Sequence, residues 1–247
     1  MIRGLYAGAS GMVAEAIRTD VIANNLANAN TAGFKKDVAV NKEFASILIT
    51  RINDGAAPAS IGSAGSGVMI DEVATNQSGG LMRTTGNDFD MAIGGKGFFT
   101  VETPQGVRYT RNGTFAKNMQ GELITQDGYR VLGQNGPIRI KGGKMVVSDD
   151  GRVLVDNSPV GKLRLVEFDN EKQLTKEGAS LFAVAAGQNG KPATGGVRQG
   201  MLEMSNVNVI GEMVNLISSY RTYEINGKVV QSHDQLMGKA ANEVGRL

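Results

Sequence analysis

The sequence predicts an α+β chain: long N- and C-terminal helices packing as a coiled-coil-like pair, with an inserted, mainly antiparallel β domain. Three observations carry this reading. Apolar residues alternate at spacings of three and four at both ends, the period falls to two in between, and the short apolar runs of the middle are separated by turn dipeptides.

At the N-terminal end Ile2, Leu5, Ala9, Met12, Ala16, Thr19, Ala23 and Leu26 form a heptad seam in which Thr19 alone is polar. The run stops at Asn28-Ala29-Asn30-Thr31-Ala32-Gly33, where asparagine and glycine can take the left-handed conformations that end a helix. A helix over residues 2–28 would be about 40 Å long at the usual rise per residue. At the other end Val209, Met213, Leu216, Tyr220, Tyr223, Gly227, Val230, Asp234, Met237 and Ala241 repeat the alternation, with Ser205 and Asn206 as candidate caps. That predicts a helix over residues 208–244, about 55 Å long. Both helices carry further apolar residues off the seam, Val13, Val21 and Ile22 on the first and Ile210, Ile217, Ile225, Val229 and Leu236 on the second. A helix with more than one apolar stripe needs more than one neighbour.

Between the ends, runs such as Phe98-Phe99-Thr100-Val101, Tyr129-Arg130-Val131-Leu132 and Arg152-Val153-Leu154-Val155 read as strands. Asn112-Gly113, Asn135-Gly136-Pro137 and Asp150-Gly151 supply turn chemistry between them. The expected division is a terminal helical assembly domain of residues 1–31 plus 205–247, an extended linker of residues 32–78, and a β-rich outer domain of residues 79–204. Within the linker, residues 53–67 hold four glycines and Pro58 and read as a flexible excursion.

Composition narrows the function classes. The 26 basic and 24 acidic residues leave a net charge of +2, so no strong field favours nucleic acid or an anionic membrane. With no cysteine, neither disulfides nor thiolate metal sites can hold the fold. No run approaches the about 18 apolar residues of a membrane span. Arg3 and the uncharged stretch after it loosely imitate a signal peptide, but Gly4, Gly8, Ser10 and Gly11 make it weakly apolar.

A search for chemistry gives ordinary readings throughout. His233 is the single histidine, so it cannot complete a metal set, and it reads as a solvated or interface residue. Gly94-Gly95-Lys96-Gly97 lacks phosphate-loop spacing and reads as a hairpin turn. Asp88 with Asp90, and Asp149, Asp150 and Asp156, fit no cation-loop pattern and read as turn or surface acids. Phe98 and Phe99 read as core on one face and a domain contact on the other. No catalytic, cofactor or metal site is expected, and no small-molecule substrate.

The stretches Ser10-Gly11-Met12, Asp20-Val21-Ile22-Ala23-Asn24-Asn25-Leu26-Ala27-Asn28 and Asn30-Thr31-Ala32-Gly33-Phe34-Lys35 closely resemble the N-terminal signature of flagellar rod and hook proteins. The resemblance continues in Asp90-Met91-Ala92-Ile93, Gly97-Phe98-Phe99, Tyr109-Thr110-Arg111-Asn112-Gly113-Thr114-Phe115, Leu202-Glu203-Met204-Ser205-Asn206 and Arg221-Thr222-Tyr223-Glu224-Ile225-Asn226. It spans essentially the whole chain. The compact middle resembles the proximal rod members most, while residues 205–209 and 223–226 look equally like the distal ones.

The resemblance implies a structural, non-enzymatic subunit of the flagellar basal-body rod. Its terminal helices would form the inner tube and polymerise with other copies and with other rod and hook proteins. It also implies export by the flagellar apparatus without a cleaved signal. The expected assembly residues are Leu5, Met12, Asn24, Asn25, Leu26 and Asn28 on the first helix and Val209, Met213, Leu216, Tyr220, Tyr223, Val230 and Met237 on the second. The amides of Asn24, Asn25 and Asn28 would hydrogen-bond between helices or cap the helix end. The rival classes are a secreted cell-wall enzyme using Asp88 and Asp90 as a carboxylate pair and an adhesin built on the β domain.

Overall fold

A computed structural model describes residues 2–44, 46–51, 59–184 and 190–244. Helix α1 spans Ile2–Ala27 and helix α2 spans Val209–Lys239, the latter continuing as a π-turn over Ala240–Val244. The predicted helices are present, within a residue of their expected starts and of the first one's expected end. The chain divides into two compact units, one made of the two helices with residues 37–74, the other of Ala27–Lys36 and Thr75–Asn208.

In the helical unit α1 and α2 run antiparallel. A methyl group on Gly8 would lie 3.0 Å from the Val230 side chain, and one on Gly11 would lie 2.7 Å from Asn226 Nδ2. Nearer the other end of the pair, the Ser219 hydroxyl bonds the Glu15 carboxylate and lies 3.3 Å from Thr19 Oγ1. Glycines on α1 thus let the helices approach until α2's polar side chains lie on α1's surface. Strand Asp37–Glu43 pairs with Val68–Thr75, and Ile47–Arg51 pairs antiparallel with Ala59–Ala64. These strands occupy much of the segment read as a linker; of the expected flexible excursion, residues 53–58 lie outside the described residues. The first ribbon docks on α1 where the Val68 amide donates to Ser10 Oγ at 3.2 Å.

The β unit is built on Phe98–Thr103. Its neighbours are Gly106–Thr110 on one side, and Leu165–Glu167 and Arg130–Gly133 on the other, all antiparallel. Alternation along this strand sends Phe99 and Val101 into the main core with Met91, Phe115, Leu123 and Val131, and Phe98 into a second core with Val166, Phe168, Leu174 and Phe182. Phe99 meets the Phe115 ring edge-on at 5.1 Å, and Phe98 meets Phe182 at 5.4 Å. Both phenylalanines are therefore interior, and the domain contact expected of one of them is a second core of the same unit. The sheet is covered on both faces.

Two turn readings change. Residues 94–97 do not close a hairpin, because Met91–Gly94 pairs with Gly196–Gln199 while Phe98–Thr103 belongs to the large sheet. Gly113 is required for a reason other than turn geometry: a Cβ there would overlap the Met91 carbonyl, whose residue's amide donates to Gly113 O at 3.0 Å. Gly113→Ala should force these backbones apart and destabilise the β unit by about 1–3 kcal/mol, read from the urea midpoint at unchanged m-value.

Candidate assembly surface

The least exposed residues of α2 and its terminal turn are Glu212, Leu216, Ser219, Asn226, Gly227, Val230, His233, Met237 and Ala240. Leu216, Gly227, Val230 and Met237 belong to the expected seam, but in place of Met213, Tyr220, Asp234 and Ala241 the residue before each is the covered one, and Val209 and Tyr223 are exposed. Glu212, Ser219, Asn226 and His233, spaced by seven, are more covered than their apolar neighbours Met213 and Tyr220. The turned-in face mixes these polar residues with Leu216, Val230 and Met237, and most of the other apolar residues are left outside. Ile210 is 77% exposed, Ile217 54% and Tyr220 58%, and Met213, Val214, Ile225, Val229 and Leu236 are exposed with them.

Helix α1 shows the same rotation. Gly4, Gly8 and Gly11 face α2, Leu5 and Met12 are half-buried, and Tyr6, Val13 and Ile17 are exposed. The side chain of Ile2 lies outside the described residues. Tyr220 and Tyr223 line a shallow groove with Ala16, Thr19 and Asp20 of α1. Val209 and Tyr223 are exposed, as are Asn24, Arg221 and Glu224 elsewhere on the helices. An apolar band of this size on two helices is unusual for a face meant to stay in water.

The asparagines of the N-terminal signature separate by role. Asn25 is buried and does neither of the things expected of it: its Nδ2 donates to Asp37 O at 2.7 Å, and its Oδ1 accepts from the Asp37 amide at 2.9 Å. One side chain thereby satisfies both polar groups of the backbone at the first residue of the ribbon. Asn28 sits at the helix end, its carbonyl accepting from the Thr31 amide at 3.1 Å and its Oδ1 from the Thr31 hydroxyl at 3.3 Å. Leu26 beside it is half-buried. Asn25→Ala would remove the hydrogen bonds this side chain makes to the Asp37 amide and carbonyl, and a loss of about 1–3 kcal/mol is expected in the unfolding of the helical unit. Calorimetry of the full chain should show that transition alone shifting down.

The β unit contains a charged cluster that the sequence did not suggest. Glu203 is buried and takes Lys35 Nζ on Oε1 at 2.6 Å and Arg111 Nη1 on Oε2 at 3.4 Å. The Gly80 amide also donates to Oε1 at 3.0 Å. Lys35 Nζ donates in addition to Ser78 O at 2.7 Å, and Arg111 Nη1 to Gly95 O at 2.8 Å, with the guanidinium over the Phe98 ring. Burial pulls the Lys35 ammonium below the ordinary lysine range, against the opposing pull of Glu203, and the Arg111 guanidinium is lowered for the same reason. In the window between its depressed folded value and the ordinary one, Lys35 binds fewer protons in the fold than in the unfolded chain. Its own contribution to stability therefore rises with pH there. Three residues far apart in the chain leave no local pattern; their only common mark is that each lies in a stretch carrying the family resemblance.

The candidate chemical residues disperse. Asp88 is exposed, whereas Asp90 is buried and its carboxylate accepts from Asn87 Nδ2 at 3.2 Å. Asp150 pairs with Arg152, and Asp156 accepts the Gly143 and Lys144 amides. His233 lies over Gly4 within the helix pair. Among the described residues no group of three or more His, Asp or Glu is placed to hold a metal ion, and no helix is long and apolar enough to cross a membrane.

Comparison with known proteins follows the same segments. Residues 5–35 match the flagella basal body rod protein family, residues 92–155 the D1 domain of flagellar hook proteins FlgE/F/G, and residues 198–243 the C-terminal region of the flagellar basal body rod FlgEFG proteins. The flagellar basal-body rod protein FlgG of Bacillus subtilis (strain 168) is 35% identical over 263 residues, covering 98% of this chain and 99% of its own. This chain belongs to the flagellar basal-body rod family. Rod proteins of both expected kinds are similar to it at nearly equal identity, since FlgF of Caulobacter vibrioides is 37% identical with all of both chains covered. The flagellar hook-basal body complex protein FlhO of Bacillus subtilis is 31% identical, again over the whole of both chains.

Proposed function

We propose that this chain is a structural, non-catalytic subunit of the bacterial flagellar basal-body rod that polymerises through its terminal helices. The observation that carries the reading is the helix pair's outer face: His233, Val230 and Asn226 of α2 lie on the glycines of α1, while Ile210, Met213, Val214, Ile217, Tyr220, Ile225, Val229 and Leu236 are exposed. Covering Ile210, Met213, Ile217 and Tyr220 by equivalent helices of other subunits removes that apolar surface from water, at about 25 cal/mol per Å². Many identical contacts of this kind make a shaft that transmits torque passively. The heptad spacing on both helices supports coiled-coil-like packing, with residues 1–31 and 205–247 as the assembly domain and residues 79–204 as the outer domain.

The partners in this reading are other copies of the chain, other rod and hook proteins of the same family, and the flagellar export apparatus. The place is the rod where it crosses the periplasm. The N-terminal stretch that imitates a signal peptide is helix α1 itself, with Gly8 and Gly11 packed on α2. That packing supports its retention in the exported subunit, which mass spectrometry of the assembled rod would test. The reading as a whole is tested in the native host by deleting the segment coding for α2. The expected strain does not swim, and its basal bodies stop at the rod. Normal flagella in that strain would overturn the proposal and return attention to the β unit.

A further inference from the structure

The segments that lead to the two helices meet inside the β unit, joined by a set of hydrogen bonds and ion pairs. Gly33 N donates to Glu203 O at 2.7 Å, and Lys36 N to Asn206 Oδ1 at 2.8 Å. Residues 76–81 lie against both: Asn76 N donates to Lys36 O at 2.9 Å, Asn206 Nδ2 to Asn76 O at 2.8 Å, and Met204 N to Leu81 O at 2.8 Å. At the centre, the side chains of Lys35, Glu203 and Arg111 are all at least nine-tenths buried. Two cations share one anion, and Arg111 Nε has no partner among the described residues.

This arrangement is costly when incomplete. Without the Glu203 carboxylate, Lys35 and Arg111 would be two neighbouring buried cations with no anion between them, and the carbonyls of Ser78 and Gly95 do not neutralise their charge. Without Lys35 docked, Glu203 would keep only the Gly80 amide at 3.0 Å and the longer contact to Arg111 at 3.4 Å. We propose that the cluster is a conformational lock: residues 33–36 dock on the β unit only when Glu203 occupies its place, so the segments entering and leaving the helices are fixed together or not at all. An apolar plug of the same volume would give stability without this condition, because each half could bury its surface independently.

Hydrogen exchange of the full-length chain tests the lock. In the wild type, the amides of residues 33–36 should open with the same free energy as those of Phe98–Thr103. In Glu203→Gln they should exchange at least about a hundredfold faster than that strand in the same molecule, the lower end of the cost of an unpaired buried charge. In Lys35→Met/Arg111→Met/Glu203→Leu no buried charge is left unpaired, and the two sets of amides should match again. The lock is overturned if residues 33–36 stay matched to the strand in Glu203→Gln, or if the triple variant does not restore the match. Should the single variant fail to fold, the triple variant decides: folded with matched amides supports the lock, and unfolded or unmatched overturns it.

Discussion

Glu203→Ala is expected to lower the unfolding free energy of the β unit by about 3–5 kcal/mol, a large fraction of what a domain of this size possesses. Removing the carboxylate deletes the acceptor of Lys35 Nζ, of Arg111 Nη1 and of the Gly80 amide at once. The loss should therefore exceed that of any exposed pair, such as Lys191 with Asp169 at 2.7 Å, whose charges stay in water and are screened by it. Replacing all three members, Lys35→Met, Arg111→Met and Glu203→Leu, should recover most of the stability, because desolvation of the charges disappears with them. Urea unfolding followed by far-UV circular dichroism separates these outcomes. A Glu203→Ala variant as stable as the wild type would mean that the cluster contributes nothing.

The second large effect concerns association. Ile217→Ser combined with Tyr220→Ser should weaken self-association by more than about a hundredfold, since interface anchors typically contribute about 2 kcal/mol or more each. Both side chains are over half exposed in the single chain, so their removal costs the monomer little packing. Helix content and monomer unfolding should stay as in the wild type. Substitutions on the turned-in face should behave oppositely. Gly11→Leu drives a side chain into Asn226 and should disrupt the helix pair before it affects any partner.

These contrasts show which parts of the molecule a linear pattern could reveal. The helices were legible because apolar residues at three and four mark a face whatever that face meets. What the face meets was not legible. Leu216, Val230 and Met237 are half-buried, whereas Met213 and Tyr220 are exposed. The covered partners of the seam are Ser219, Asn226 and His233, which a search for apolar periodicity passes over. They are tolerated because Gly4, Gly11 and the Glu15–Thr19 pair across the helix interface leave them room or hydrogen bonds.

Turns divide along the same line. The positive φ of Gly136 and Gly151 is a local demand that Asn135-Gly136 and Asp150-Gly151 announce, but the need for Gly113 arises from Met91, far away in the chain. Asn25 is expected to bond between helices or at the helix end, and its partner is instead the Asp37 backbone, which only the three-dimensional structure brings beside it. The Lys35–Glu203–Arg111 cluster is the extreme case, since buried charge has no periodicity to betray it.

The central claim is that the outward apolar band of the terminal helices joins subunits into the rod. Sedimentation velocity of the full chain over a concentration series, beside the Ile217→Ser/Tyr220→Ser variant, tests it most directly. The expected result is a wild type whose sedimentation coefficient climbs with concentration and a variant that remains a folded monomer throughout. A wild type that stays monomeric at every concentration, or a variant that associates as readily as the wild type, would contradict it.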